Sequence, residues 1–263
     1  MGMEENMKIA SWNVNSLRVR LPQVLQWLEA QTPDLLALQE TKLTDEQCPV
    51  EAIEEAGYQV IHSGQKTYNG VATLSRVGPG ADVVTELPAM PDPQRRVLGA
   101  TYGDVRLLNL YVPNGQEVGS AKYAYKMEWL ARLADYIEAQ IAEYPKLVVV
   151  GDFNIAPAPD DVYDPELWEG RVLFSEAERA AFRRLLDLGL ADTFRLFDQE
   201  EGIYSWWDYR MGAFRRNRGL RIDHILASRA LSASCRVSTV DREPRGWERP
   251  SDHAPVVAEF SPE

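Results

Sequence analysis

The sequence predicts an α/β fold in which two β-sheets pack face to face and helices cover the outside. The predicted order is strand, helix, several strands, helix, strand, helix and final strands, which is too rich in strands for a strict β-α-β repeat. Glycine and proline separate the middle strands, and this favours antiparallel pairing. With 263 residues, of which 45% are hydrophobic and 26% charged, the chain can form one large core.

The first part of the chain combines one helix with many short apolar strands. Residues 7–14 form a predicted strand, and residues 17–31 a helix with Leu21, Val24 and Leu28 on one face. Residues 35–39 are a short apolar strand that ends at Glu40. Five further β-like segments follow at residues 58–62, 71–74, 83–87, 97–102 and 105–112.

The remaining elements include two more helices. Residues 121–143 are the longest helix candidate, because Trp129, Leu133 and Ile137 recur at helical spacing. Residues 147–150 form a buried strand that leads into Gly151 and Asp152, and residues 176–188 form the third helix. The last predicted strands are residues 222–227, 235–240 and 255–260.

Composition narrows the class of protein. No apolar run approaches the roughly 18 residues that a membrane span needs. Residues 1–6 lack the features of a secretory signal and are interpreted as an N-terminal extension or a cloning remnant, and residues 7–263 are predicted to form a single domain. The two cysteines, Cys48 and Cys235, lack metal-type spacing and are expected to be reduced thiols of a cytoplasmic protein.

The net charge of −12 leaves the choice of partner open. DNA-binding proteins are usually basic, and this chain is acidic. Carboxylates that hold a cation add negative charge, however, and the bound ion offsets it. Basic residues also cluster between Arg210 and Arg221, either as a solvated loop or as a nucleic-acid contact.

Polar residues recur where apolar strands end, and such residues are costly to bury without partners. The strand ends carry Asn13 and Asn15, Glu40, Tyr111, Asp152 and Asn154, Asp223, and Asp252 with His253. Each alone is more typical of a turn or a helix cap. Because packed sheets can bring strand ends to one rim, the whole set predicts a functional site there.

The residue types of this set indicate metal-assisted phosphoryl transfer. Oxygen ligands without cysteine suit Mg²⁺ or Mn²⁺ rather than zinc. A histidine beside a carboxylate can be held in one tautomer and can polarise or protonate an oxyanion. Asp152 and Asn154 point to the same side of a strand end, so that one could activate a water and the other orient it.

Several motifs resemble those of the endonuclease/exonuclease/phosphatase superfamily. They are Trp12-Asn13-Val14-Asn15, Leu38-Gln39-Glu40-Thr41-Lys42, Gly151-Asp152-Phe153-Asn154, Arg221-Ile222-Asp223 and Ser251-Asp252-His253. Segments 69–72, 205–210 and 217–223 are similar to the exonuclease III family of bacterial abasic-site endonucleases. The resemblance extends from about residue 7 to residue 260, and it implies a DNase I-like four-layer α/β sandwich with two mixed sheets.

The resemblance implies a set of metal ligands. Glu40 would be the principal ligand, with Asp252 and the pair Asn13 and Asn15 near the same ion, which would be Mg²⁺ or Mn²⁺. Some relatives carry an aspartate in place of Asn15. The composition of the inner metal shell and the number of ions therefore stay open.

The resemblance also implies a catalytic set. Asp152 would align or deprotonate the attacking water, and Asn154 would orient it. His253, supported by Asp223, would contact the scissile phosphate and stabilise the developing charge. Tyr111 would contact the same phosphate.

DNA contacts are implied at Trp206, Leu220, Ile222, Arg210 and Arg218. Trp206, Leu220 and Ile222 fall where family members form a pocket for a base-less sugar. Both tryptophans of the Trp206-Trp207 pair could instead be core aromatics. Because neighbours on a strand point to opposite faces, we expect Trp206 to face DNA and Trp207 to pack inward.

The expected function is that of a metal-dependent DNA-repair phosphodiesterase. It would act as an abasic-site endonuclease with 3′-5′ exodeoxyribonuclease and 3′-end trimming activity on double-stranded DNA. A monomer without membrane contact is expected, because no apolar stripe is left over. The alternatives are another superfamily enzyme, such as an inositol-phosphate phosphatase or a DNase I-like nuclease, and a non-catalytic DNA-binding relative.

Overall fold

The computed structural model describes residues 6–88 and 90–261, so the expected extension over residues 1–6 lies outside the described residues apart from Asn6. The strands of the described residues, in chain order, are β1 (Met7–Asn13), β2 (Leu35–Gln39), β3 (Gln59–Ser63), β4 (Val71–Ser75), β5 (Ala81–Val84), β6 (Val97–Tyr102), β7 (Val105–Tyr111), β8 (Leu147–Asp152), β9 (Leu190–Asp192), β10 (Asp223–Ser228), β11 (Cys235–Val240) and β12 (Val256–Phe260).

The α-helices of the same residues are α1 (Leu17–Gln31), α2 (Val50–Glu55), α3 (Ala121–Glu143), α4 (Pro165–Trp168), α5 (Glu176–Asp187) and α6 (Arg229–Ser232). Ser120 and Ser175 cap α3 and α5, since each side chain accepts a hydrogen bond from the first turn of its helix. None of the helices in these two ranges combines the length and the apolar character that crossing a bilayer requires.

The strands form two six-stranded sheets, each with parallel and antiparallel pairs. The first sheet has the order β11-β12-β1-β2-β4-β3, and the second β5-β6-β7-β8-β10-β9. In the first sheet β1 is parallel to β2 and antiparallel to β12. In the second, β8 is parallel to β7 and antiparallel to β10. Both sheets are therefore mixed, as the resemblance implied.

Three apolar clusters define four layers. The inner cluster joins the two sheets, with residues such as Ile9 and Leu35 from the first and Val148 and Val150 from the second. A second cluster packs α3 and α5 against the outer face of the second sheet. A third packs α1 against the outer face of the first sheet. The architecture is a four-layer α/β sandwich, which confirms the predicted fold class.

The long elements agree with the sequence-based boundaries within a residue or so, and one predicted strand is wrong. Residues 83–87 were expected to form a strand, whereas β5 covers Ala81–Val84, and Leu87 forms only an isolated bridge with Met90. The pairing of β5 with β6 is irregular, and β5 is exposed, so it lacks the apolar alternation on which the expectation depended.

Candidate active site

Strand ends from both sheets meet at one rim of the sandwich. Asn13 ends β1, which lies beside β2 with Asn13 opposite Gln39, so Glu40 follows immediately at the same edge. In the second sheet Asp152, at the end of β8, lies opposite Tyr111 on one side and Asp223 on the other. The polar residues that the sequence places at strand ends therefore lie together.

Asp152, His253 and Asp223 form a buried acid–base group. The Nδ1 atom of His253 lies 2.8 Å from Asp223 Oδ2, and its Nε2 atom lies 3.8 Å from Asp152 Oδ2. Asp223 is buried at the start of β10, with its backbone N–H bonded to the Ser205 hydroxyl. One ring nitrogen of His253 is thus engaged, and the other points towards Asp152.

Burial and neighbouring charges shift the pKa values of this group. Burial raises the pKa of Asp152 to about 7, and the Asp223 carboxylate acts in the same direction against the opposing effect of His253. Burial alone would lower the pKa of His253, but the Asp223 and Asp152 carboxylates raise it to about 10. An acid with a pKa near neutrality beside a histidine that stays protonated suits proton transfer at neutral pH.

Asn13 connects the two sheets at the site. Its amide nitrogen donates to Glu40 Oε1 and to Asp152 Oδ2, both at 2.9 Å, and its Oδ1 accepts from the Asn15 backbone N–H. All of these polar atoms of Asn13 are therefore engaged within the protein. In this arrangement Asn13 holds two carboxylates in place, and its Oδ1 keeps one lone pair.

Asn15 and Asp252 lie next to Glu40 and are connected to it through Lys42. Asn15 Nδ2 donates to Asp252 Oδ1 at 3.0 Å, and Lys42 Nζ donates to Asn15 Oδ1 at 2.5 Å. The same ammonium lies 3.0 Å from Glu40 Oε2. Burial opposes ionisation of Asp252, but His253 and the hydrogen bonds from Trp206 and Asn15 lower its pKa.

The donor set fits a divalent cation. Ligand atoms of Asp152, Asp223 and His253 lie within 4.8 Å of one another, and Glu40 reaches this group through Asn13. Asp223 Oδ1 is buried and has no hydrogen-bond partner, although a buried carboxylate oxygen without one is costly. A cation at this position would satisfy that oxygen and offset the clustered negative charge.

Backbone strain is concentrated at the same rim. Asn15, Glu40, Lys42 and Asn154 all have a positive φ, at 44°, 53°, 55° and 49°. Asparagine adopts this conformation more readily than the other types, and for Glu40 and Lys42 it is uncommon. Such strain persists where surrounding contacts impose it, and it is typical of functional segments.

Tyr111 and Asn154 complete the phosphate side of the site. Burial and the nearby Glu40 and Asp152 carboxylates raise the pKa of Tyr111 well above its usual value, so the phenol stays protonated. Asn154 donates from Nδ2 to the Val112 carbonyl and from its backbone N–H to Asp152 Oδ1. Its Oδ1 accepts from Asn114, an exposed residue.

The residues expected to contact DNA fall into three environments. Trp206 is partly buried and donates from its indole to Asp252 Oδ2 at 3.0 Å, whereas Trp207 is fully buried in the inner core, as the alternation predicts. Leu220 and Ile222 are also buried, in a cluster with Leu173, Phe174 and others. They present almost no accessible surface to a sugar as they stand. Arg210 and Arg218 are exposed on the segment between Trp207 and Leu220.

Sequence reasoning missed two residues at the site, Asn114 and Lys126, which both contact Asn154. Lys126 could have been noticed as a charged residue at an apolar position of α3, three residues before Trp129. Asn114 carries no comparable signal. On the other side of the site, Arg96 donates to the Tyr111 carbonyl and lies over its ring, with 4.8 Å between the guanidinium carbon and the ring centroid.

Comparison with known proteins places this chain in a family. Residues 10–253 match the model of the endonuclease/exonuclease/phosphatase family. The chain is 38% identical to exodeoxyribonuclease III of Haemophilus influenzae, with 97% of this chain and 100% of the relative covered.

Two solved structures are similar over nearly their whole length. A 3′ phosphatase from Neisseria bound to a product DNA hairpin is 50% identical with a TM-score of 0.95, covering 97% of this chain and 99% of that one. An AP endonuclease from Archaeoglobus fulgidus is 39% identical with a TM-score of 0.93, with the same coverage. With a matching fold, a matching order of motifs and relatives aligned over almost the entire sequence, this chain belongs to the endonuclease/exonuclease/phosphatase family of phosphodiester hydrolases.

Proposed function

We propose that this protein is a divalent-metal-dependent phosphodiesterase of DNA repair, which incises abasic sites and trims 3′ ends in duplex DNA. The observation that carries the proposal is the convergence of Asp152, Asp223 and His253 within 4.8 Å, beside Glu40. The relatives are named for exodeoxyribonuclease, 3′ phosphatase and AP endonuclease activities, which all hydrolyse phosphate esters of DNA.

Each side chain has a task in this reaction. A water attacks phosphorus and the P–O3′ bond breaks, so that negative charge develops on the phosphate oxygens and on the leaving 3′ oxygen, which takes up a proton from solvent to become a hydroxyl. Asp152 accepts the proton of the water, which its pKa near 7 favours at neutral pH, and Asn154 orients that water. His253 and Tyr111 both stay protonated and donate hydrogen bonds to the phosphate oxygens.

We propose Mg²⁺ or Mn²⁺ as the cation, since hard oxygen ligands dominate the site. Glu40 and Asp223, whose Oδ1 lacks a hydrogen-bond partner, would hold it, with Asp252 nearby, so that Asp152 stays free to accept the proton. When bound, such an ion stabilises the charge that develops on the phosphate. Asn13 and Lys42 would keep Glu40 oriented in the absence and in the presence of the ion.

Two observations favour 3′-end processing as the stronger of the two activities. A 3′ phosphatase is among the structures most like this one. In addition, Leu220 and Ile222 are buried in an apolar cluster of the described residues, so these two side chains offer little open surface to a base-less sugar. Abasic-site incision would then require these side chains to move.

The decisive experiment is a panel of end-labelled duplexes carrying an abasic site, a nick with a 3′ phosphate, a blunt end or an RNA–DNA hybrid. Each substrate is incubated with Mg²⁺, with Mn²⁺ or with a chelator, and the Glu40→Gln variant serves as the matched control. We expect cleavage with either metal, none with chelator and a reduced rate for the variant. Full-speed cleavage in chelator would exclude this site as a metal-dependent one.

We infer that residues 7–263 act as a single domain, because the inner core runs between both sheets. A monomer is proposed, which sedimentation at several concentrations would test. A cytoplasmic location accompanies the proposed activity, because relatives such as the Haemophilus influenzae enzyme are bacterial and a bacterial chromosome lies in the cytoplasm.

A further inference from the structure

A fully buried ammonium group lies directly behind Asn154. Lys126 projects from α3, and neither its Nζ atom nor the rest of its side chain is exposed to solvent. It donates to the Asn154 carbonyl at 2.7 Å, to the Asn114 carbonyl at 3.1 Å and to Glu178 Oε1 at 2.5 Å. All three donors of the ammonium are thereby used.

The carboxylate that pairs with Lys126 is equally buried. Glu178 lies in the first turn of α5 and accepts hydrogen bonds from the backbone N–H groups of Leu173 and Ser175 and from the Ser175 hydroxyl. A buried ion pair is a poor source of stability, because the desolvation of two charges offsets their attraction. Apolar side chains of similar volume would serve packing equally well, so the pair needs another explanation.

The carbonyl groups that Lys126 binds belong to two loops that meet at the candidate active site. One follows β7 and carries Asn114, and the other follows β8 and carries Asn154. Asn114 Nδ2 donates to Asn154 Oδ1 at 3.1 Å. The side chain of Asn154 is thus held by Asn114, and Lys126 holds the backbones of both residues.

The conformation of Asn154 makes this support necessary. Its φ of 49° is in the left-handed region, and its backbone N–H is bonded to Asp152 Oδ1. A small rotation of this backbone would move both the amide of Asn154 and the carboxylate of Asp152. Misplacement of a reacting group by about 1 Å can cost about 100-fold in rate.

We propose that Lys126 is a positioning residue for the hydrolytic reaction, whose buried ammonium ties the Asn114 and Asn154 loops together and fixes the Asn154 side chain towards the attacking water. The inference rests on the proposed function. It differs from a purely structural role of the Lys126–Glu178 pair, in which the charges would only neutralise each other.

The test compares Lys126→Met with the double variant Lys126→Met, Glu178→Met, which leaves no unpaired buried charge. Steady-state kinetics on the preferred duplex of the panel are measured below the unfolding temperatures of all variants. We expect both variants to lose about 100-fold in kcat, with KM changed less than threefold, because the substrate surface is untouched. The melting temperature should fall in the single variant and recover in the double one.

Arg106→Met is the matched control, since Arg106 is a second buried cation, bonded to Gln140, Thr101 and the Asp82 carbonyl. It should lose stability with kcat unchanged. A double variant within threefold of wild-type kcat would overturn the inference, as would an equal loss of kcat in Arg106→Met. Failure of the proposed function is a different result, in which the wild-type protein itself cleaves none of the duplexes.

Discussion

In the proposed reaction Asp152 and His253 carry the acid–base chemistry, and both belong to one buried group with Asp223. We expect Asp152→Asn and His253→Ala each to lower the rate about 10²- to 10⁴-fold, the usual contribution of a general acid or base. Asp223→Asn should lose less, because it misorients His253 without removing it. Single-turnover rates, compared with duplex affinity, check this. Near-wild-type turnover of the Asp152 variant would rule out its role with water.

The burial of His224 predicts that the free energy of unfolding falls at acid pH. It is buried, with Nδ1 facing Arg221 and Nε2 bonded to the Ile155 carbonyl. Burial and the Arg221 charge lower its pKa from 6.5 to about 4. Below pH 6.5 the unfolded chain therefore binds a proton that the folded protein excludes until about pH 4. The stabilising contribution of the neutral His224 ring is fully present above pH 6.5. The free energy of unfolding falls by about 3 kcal/mol as the pH falls from 6.5 to 4.

Urea denaturation at pH 7 and pH 5 tests the sign of this effect. His224→Gln lacks a titrating group and should be less stable at pH 7, since it weakens the contacts to Arg221 and Ile155. Its free energy of unfolding should then change less between the two pH values than that of the wild type. An identical change in both proteins would show that His224 is not the group responsible.

The segment that carries Trp206 and Trp207 places its two aromatic rings in opposite directions. Trp207→Ala should lower the free energy of unfolding by about 3–5 kcal/mol, because it empties a fully buried position. Trp206→Ala should affect melting less and abasic-site incision more, since its indole bonds to Asp252 beside the site. Calorimetry and cleavage assays measure the two effects. Equal loss of stability in both, with unchanged substrate preference, would contradict the assignment.

Sequence patterns predicted the long elements well, because α1, α3 and α5 repeat apolar residues over many turns and the inner strands are continuously apolar. The helices α2, α4 and α6 have six residues or fewer, and no periodicity can develop over such lengths. Short elements of this kind depend on tertiary contacts, which a sequence pattern does not contain.

The residues of the candidate site could be predicted from the sequence where they lie in contiguous motifs. Contacts between residues that are distant in sequence could not be predicted in this way. The strand-end residues, from Asn13 to His253, lie together as expected. The double contact of Asn13 with Glu40 and Asp152 joins residues far apart in sequence, and no spacing rule indicates it. The burial of Leu220 likewise depends on the segments around Val162 and Trp206, which form isolated bridges to it.

The negative net charge of the protein predicts how its affinity for DNA depends on salt. Its net charge is −12, yet Arg210 and Arg218 are exposed on one loop. A local patch of this size neutralises few phosphates, so the slope of log affinity against log salt should be shallow, about −0.9 for each phosphate contacted. The double variant Arg210→Ala, Arg218→Ala should reduce the slope by about two such contacts in a salt titration. A wild-type slope near −10 would show a much larger contact surface.

The bridge that Asn13 forms between the sheets has a thermodynamic consequence. Ligands at the rim come from both halves of the sandwich, so an ion bound there is released when the halves separate. Ion binding and global unfolding are then linked, and saturation at 100 times the Kd should stabilise the fold by about 2.7 kcal/mol. For a chain of this size that corresponds to a rise in Tm of about 5–10 °C with Mg²⁺. The rise in Tm should be smaller in the Asp223→Asn variant. An ion bound at this rim would then stabilise the fold by linking the two sheets, in addition to its part in the proposed reaction.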